Sequence, residues 1–238
     1  MVKKGEKTMR DLPVLTAANT PEEIFAAGRR AAGEDIRMAC SFSVEDVVII
    51  DLLREQAERF SIFAIDTGRL PEETYAVAEA LSQKYQLRIN WYFPRRDAVE
   101  HLETEKGLFS FQESLENRKE CCAVRKVEPL RRALAAADGW MTGMRRSQSV
   151  TRDALQPLEI DAVNGGLLKI NPLTFWSTEQ VWEYAREKHL PLNRLYQQGY
   201  QSIGCAPCTR AVREGESERS GRWWWENPEH RECGLHRR

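Results

Sequence analysis

No run of apolar residues in the chain is long enough to span a bilayer. Purely apolar stretches such as residues 47–50 stop after one helical turn, where about 20 residues are needed. The N-terminus, MVKKGEKTMR, has no apolar segment behind its lysines, so a secretory signal is not expected. A basic excess is missing too. Lys and Arg number 35 against 36 Asp and Glu, for a net charge of −1, which argues against a general nucleic-acid coat protein. Internal repeats and low-complexity linkers are also lacking. What is present is 238 residues, 42% hydrophobic and 30% charged, enough apolar material for a packed core. A globular cytoplasmic protein is expected.

The sequence reads as alternating units. Thr20-Pro21-Glu22-Glu23 is a capping box with proline at the first helical position, predicting a helix to about Gly33. Then come a strand at 36–41, a helix from Glu45 to about Glu58, a strand at 60–66, a helix from Pro71 to about Tyr85 and a strand at 87–93. This order and spacing predict an open, mostly parallel α/β sheet with crossover helices. A charged helical stretch at 111–137 and a short strand at 139–144 follow. Two further strands are joined by Asn164-Gly165-Gly166, a hairpin signal, and Ser177-Thr178-Glu179-Gln180 caps a helix to about Lys188. The chain divides into an N-terminal flexible segment (1–18), the α/β body (19–208) and an arm (209–238) rich in Arg, Glu and Trp.

Ligands of open parallel sheets bind at the carboxyl ends of the strands. Three loops fall there: SFSVED, DTGRLP and GMRRSQSVTR. Ser41, Ser43, Thr67 and Gly68 offer hydroxyl and backbone donors, and Arg69, Arg145, Arg146 and Arg152 can meet anions. Each alone reads equally as an N-cap or a solvated charge; together at one edge they point to an anionic nucleotide.

Six cysteines occur, at 40, 121, 122, 205, 208 and 233. In a reducing compartment, metal or redox chemistry is the default reading. Cys40 lies in an apolar strand and reads as core. Cys121-Cys122 and Cys205-Ala206-Pro207-Cys208 make two pairs. Four thiolates suit tetrahedral zinc or an iron–sulfur cluster. Neighbouring side chains diverge on a helix, so the adjacent pair fits one small ion poorly and a larger cluster better; zinc stands second. Cys233 sits in a charged C-terminal segment with Arg231, His236, Arg237 and Arg238. Cations ease ionisation of a thiol and make it nucleophilic; an incidental exposed cysteine is the equal alternative.

The segments SFSVEDVV, IDTGRL, ECCAVRKVEPL, GMRRSQSVTR, GCAPCTR and ECGLH together resemble the sulfonucleotide reductase family. The resemblance is to its iron–sulfur branch, the adenosine 5′-phosphosulfate (APS) reductases of assimilatory sulfate reduction. It implies an adenine nucleotide alpha hydrolase-like fold. It also implies a 4Fe–4S cluster on Cys121, Cys122, Cys205 and Cys208, and a nucleophilic Cys233 supported by His236 that takes the sulfonate from APS and releases AMP. A thioredoxin or glutaredoxin-like dithiol protein would then release sulfite. Lys126 is placed beside the sulfate and cluster, and Arg145, Arg152, Arg219 and Arg222 on anionic groups. Without the resemblance, Arg219 and Arg222 read as a solvated arm paired with Glu216, Glu218 and Glu226. Four residues past Cys122, Lys126 shares that ligand's helical face. The loop is similar to the SGGxDS loop of ATP pyrophosphatases, but Phe42 and Ser43 stand where that motif has glycines. Rival readings are a reductase of the 3′-phosphorylated substrate (PAPS), an ATP-dependent transferase, a zinc-stabilised RNA-binding module using RWWW as a stacking platform, and a non-catalytic cluster sensor. Membrane and nucleic-acid partners are not expected; a homo-oligomer is left open.

Overall fold

A computed structural model describes residues 12–148 and 152–227. Helix α1 (Pro21–Ala32) starts where the capping box predicts, with the Thr20 hydroxyl accepting from the Glu23 amide. Strand β1 (Ile36–Ala39) leads into helix α2 (Val44–Leu52). Strand β2 (Ser61–Ile65), helix α3 (Glu72–Tyr85), strand β3 (Ile89–Tyr92) and helix α4 (Arg96–Lys106) complete the first half. The second half holds helix α5 (Leu115–Cys122), a π-helical turn (Ala123–Val127), helix α6 (Glu128–Leu134), strand β4 (Gly139–Met141), strands β5 (Leu158–Asp161) and β6 (Leu167–Ile170), and helix α7 (Thr178–Glu187).

The strands form one sheet in the order β3-β2-β1-β4-β6-β5, parallel throughout except for the β5–β6 hairpin. The strand order reverses between β1 and β4, the topological switch point where such sheets open a crevice. Apolar residues alternate across the sheet. Ile36, Met38 and Ile62 pack under α1, α2, α3 and α7, while Phe63 and Trp140 pack under Leu130, Ala133 and Leu134 of α6. Helix α2 is buried from Val44 through Asp51, its apolar run Val47–Ile50 at the centre and the acids Glu45, Asp46 and Asp51 buried with it. Its one inward carboxylate near the C-terminal end, Asp51, accepts hydrogen bonds from Tyr85 of α3 (2.7 Å) and Tyr184 of α7 (2.6 Å). A buried polar group is thereby satisfied, and three helices are tied together.

Four expectations are corrected. The helix from Glu45 ends at Leu52, and residues Arg54–Arg59 form a 3₁₀ segment instead; none of those six is buried, so no packing holds an α path. The stretch 111–137 is interrupted by the π turn directly after the paired cysteines. Most consequentially, the segment from 209 onward, read as an arm, is docked on the body as far as residue 227. Thr209 bridges Arg222, the Trp223 amide donates to the Cys208 carbonyl (3.2 Å), and Trp223 is 1% exposed. The guanidinium groups of Arg118 and Arg222 lie over its ring at 4.8 and 4.6 Å. Arg118 also makes a two-pronged ion pair with Glu226. At the other end, Leu12 and Leu15 pack on the main core, so the segment read as flexible is anchored from residue 12.

Glu226→Ala leaves the Arg118 charge buried without that counter-ion. Removing one partner of such a pair costs about 3–5 kcal/mol. Thermal unfolding should show a marked fall in Tm; a Tm within a degree or two of wild type would mean that the segment is not held through this pair.

Candidate active site

The crevice at the β1/β4 switch point is a cavity of about 210 Å3. Its floor is the turn from β1 into α2. Phe42 takes a left-handed backbone conformation there (φ 63°), held by burial and by stacking on Trp91 at 5.6 Å. A non-glycine residue keeps such a conformation only where its surroundings over-determine it, and these sites cluster at functional loops. Ser41 and Ser43 line the cavity on either side. The Ser41 amide and hydroxyl both donate to Asp46 (2.7 and 2.8 Å), and the Tyr196 hydroxyl accepts from the first amide of α2, that of Val44. Ile65, Leu70, Leu130, Trp140 and Met144 supply an apolar end suited to a base or ribose face.

Four cations reach this cavity: Lys126, Arg152, Arg219 and Arg222. Of the carboxylates that a solvated arm would pair with the last two, Glu216 is on Arg210 (2.8 Å) and Glu226 on Arg118 (2.7 Å), while Glu218 lies in the cavity near Arg219. Arg222 lies so close to Gly204 that a Cβ there would collide with its guanidinium, which fits a glycine immediately before Cys205. Not every expected residue arrives. Arg145 is 0% exposed and does not line the cavity; its guanidinium is bound to Glu45 at 2.7 Å and braced by Ser147 and Thr178. It holds the α2 N-terminus rather than a ligand. Arg146 donates to the Leu155 carbonyl and lies over Phe175. Gly68 is also outside, its amide given to Asp66 (2.7 Å). Arg69 faces away from the cavity toward the thiols, paired with Glu103 at 2.6 Å.

All four paired cysteines line a second, smaller cavity with Arg69, Arg118, Arg125 and Lys126. None of the five described cysteines is in a disulfide. Burial raises the Cys121 thiol pKa, and burial together with the neighbouring Cys205 pushes Cys208 up to about 12. Cys205 is the exception. Burial opposes its ionisation, but Lys126, the Thr67 hydroxyl at 3.2 Å and Arg222 outweigh it and lower its pKa. Among the described residues no three His, Cys, Asp or Glu side chains converge as the ligands of one ion would. The donors nevertheless suit a larger group. Four thiols share one cavity, and its cations would offset their charge as thiolates.

The two cavities share a wall. Lys126 and Cys205 line both. The π turn carries Lys126 to that wall, its wider i→i+5 path closed by the Glu128 amide on the Ala123 carbonyl. The expected α-helical spacing from Cys122 is thus replaced by a longer turn. Thr67 is bound on both sides, its hydroxyl at Cys205 and its carbonyl accepting from Arg125 (2.7 Å).

Sequence reasoning missed the acidic side of the cavity. Glu45, Asp46 and Glu218 line it. Burial, reinforced by Glu45, raises Asp46 to about 6 against the Ser41 hydrogen bonds. Burial and then Glu45 raise Glu218 to about 7, against the pull of Arg145, Arg219 and Arg152. The motif SFSVED contained two of these acids, but nothing in it showed that they face inward. Tyr196 and residues 201–204 also line the site and carry no local signal at all. Cys233 and His236 lie outside the described residues.

The model of the phosphoadenosine phosphosulfate reductase domain matches residues 35–211. The chain belongs to this reductase family. An adenosine 5′-phosphosulfate reductase of Allochromatium vinosum is 50% identical over 205 residues, covering 86% of this chain and 80% of that protein. The crystal structure of a phosphoadenylyl-sulfate (PAPS) reductase from Candida auris, a phosphate complex, is similar with a TM-score of 0.68 and 26% identity, over 84% of this chain and all of that one. An FMN adenylyltransferase of Candida glabrata shares the fold at a TM-score of 0.51 and 15% identity, over 89% of this chain and 76% of that one. The expected adenine nucleotide alpha hydrolase-like architecture and the expected family therefore both hold. Among the described residues no helix is long and apolar enough to cross a membrane.

A carboxyl whose native pKa is raised binds more protons folded than unfolded. Stability linked to Glu218 is therefore full below its ordinary value of 4.5 and is lost as pH rises through about 7. Glu218→Gln should flatten that part of the pH–Tm profile of the ligand-free protein. Wild-type and variant profiles running parallel across this window would contradict the assignment.

Proposed function

We propose that the chain reduces adenosine 5′-phosphosulfate to sulfite and AMP in sulfate assimilation, with Cys233 as nucleophile. The observation that carries the reading is the shared wall, where Lys126 and Cys205 face both an anion-suited crevice and the thiol cavity. The 50% identity to a protein named for this activity supports the same substrate.

The chemistry follows from the charges. The Cys233 thiolate attacks the sulfur of the sulfate group, the S–O bond to the phosphate breaks, and AMP departs with the bonding pair. A thiolate approaching an anion needs that charge neutralised, and AMP leaves more readily when its phosphate meets cations. Lys126, Arg152, Arg219 and Arg222 are the cations at hand. Ser41, Ser43 and the Phe42 turn shape the floor that receives the nucleotide, and His236 eases ionisation of Cys233. Thioredoxin or a glutaredoxin-like dithiol protein attacks the sulfur of S-sulfonated Cys233, releases sulfite and ends as the disulfide, so both electrons come from that partner. A 4Fe–4S cluster on Cys121, Cys122, Cys205 and Cys208, with the net negative charge its four thiolates give it, would hold Lys126 and the site in place electrostatically and structurally. Free thiols of this kind suit a reducing, cytoplasmic setting. PAPS is the second candidate substrate, favoured by the Candida auris likeness and by the surplus of cations over one phosphosulfate.

Intact-protein mass spectrometry after anaerobic incubation with APS, and separately PAPS, should show an added SO₃. The adduct should be absent in Cys233→Ser and discharged by thioredoxin; no adduct from either nucleotide in cluster-loaded protein would refute the reading. Cys208→Ser should lose bound iron and sulfide together with the visible absorption they give. Retention of both would remove Cys208 from the ligand set.

A further inference from the structure

Helix α4 ends at Gly107, whose positive φ of 82° turns the chain outward. The next two residues are apolar and exposed, Leu108 at 62% and Phe109 at 61%. They are not left out by a loose loop. Arg69 donates to the Leu108 carbonyl at 2.7 Å, and the following Phe111 is fully tucked in beneath the Arg69 guanidinium. From Phe109 a run of ring contacts passes through buried Phe111 and half-buried Trp225 to reach Trp224: Phe109 to Phe111 at 6.1 Å, Phe111 to Trp225 at 6.0 Å, and Trp225 to Trp224 at 4.7 Å. Trp224 at the far end is exposed again. Singly exposed apolar residues need no explanation, but a contiguous aromatic strip held in place by buried anchors marks a contact surface. A Lys106–Glu120 ion pair beside it provides the charged edge usual at such surfaces.

The position of the strip says what covers it. Trp224 and Trp225 are within three residues of 227, and Cys233 follows six residues later. Six residues reach at most about 20 Å. Any protein whose thiol attacks Cys233 must therefore bring that thiol within about 20 Å of residue 227, a reach that takes in Trp224, three residues before it. We infer that Leu108, Phe109 and Trp224 form the docking surface for the dithiol protein that discharges Cys233. The inference rests on the proposed function above. The exchange itself needs only the two sulfurs, whereas the exposed Leu108, Phe109 and Trp224 offer a partner apolar area to bury. Docking on Leu108 and Phe109 therefore serves encounter and orientation, not the bond-forming step.

The test separates the two claims. Cluster-loaded Leu108→Ser/Phe109→Ser protein, altered only at exposed positions, is first S-sulfonated with APS and then discharged. Adduct formation should match wild type, discharge by dithiothreitol should match wild type, and the second-order rate with thioredoxin should fall by about tenfold or more. Trp224→Ser should act in the same direction. An unchanged thioredoxin rate overturns the docking surface and leaves the reductase reading standing. Failure of the wild type to form any adduct overturns both. If sedimentation shows wild type associating and the double variant monomeric, with thioredoxin discharge unaltered, the strip is a contact between copies of this chain and the inference fails.

Discussion

Like charges crowded into a partly buried site repel, and the whole arrangement of this protein answers to that constraint. Lys126, Arg152, Arg219 and Arg222 meet at one crevice, while Arg69, Arg118 and Arg125 approach the same region from the thiol side. In a low-dielectric setting such a set persists only with compensating negative charge or bound anions. The protein provides some of that charge itself. Glu103 takes both Arg69 and Arg125 and Glu226 takes Arg118, whereas Asp46 and Glu218 inside the crevice have raised pKa values, keep their protons to higher pH and offset less. The positive charge that Lys126, Arg152, Arg219 and Arg222 bring to the crevice suits an anionic group there, as the charge of Arg69, Arg118 and Arg125 suits thiolates on the other side.

Backbone geometry then distributes these charges. A regular α-helix past Cys122 would place Lys126 one ordinary turn away. The π turn Ala123–Val127 lengthens that step and puts its amine on the wall between the two cavities. Phe42 plays the corresponding part on the other side of the crevice, where glycine would reach the same conformation more easily but would lose the stacking on Trp91. Both departures from regular geometry occur beside residues that face the candidate site, in keeping with strain being concentrated where function requires a particular orientation.

Much of this was legible in the chain. The capping boxes at Thr20 and Ser177 begin helices where expected because the cap is a local hydrogen-bond exchange, complete within four residues. The parallel order was legible because strand and helix periods alternate at crossover spacing. The two cysteine pairs and the loop SFSVED marked the right neighbourhood. Arg145 shows the limit of such reading. It sits in the same motif as Arg146 and Arg152 and has the same chemistry, yet it is consumed by Glu45, one hundred residues away in sequence. The docking of 209–227 was illegible for a related reason: a stretch rich in Arg, Glu and Trp looks solvated until Trp223 finds Arg118 and Arg222 on its faces.

The order of residues thus settled most element types, the sheet's parallel character, the cysteine pairs and cation-bearing loops of the site, and the family, since each depends on local patterns and their spacing. Which arginine lines the crevice and which braces a helix, the shared wall made by Lys126 and Cys205, the inward turn of Asp46 and Glu218, and the aromatic run from Phe109 to Trp224 emerged only on folding. Each of these depends on side chains brought together from distant parts of the chain, and burial then fixes which charges are matched and which face a cavity.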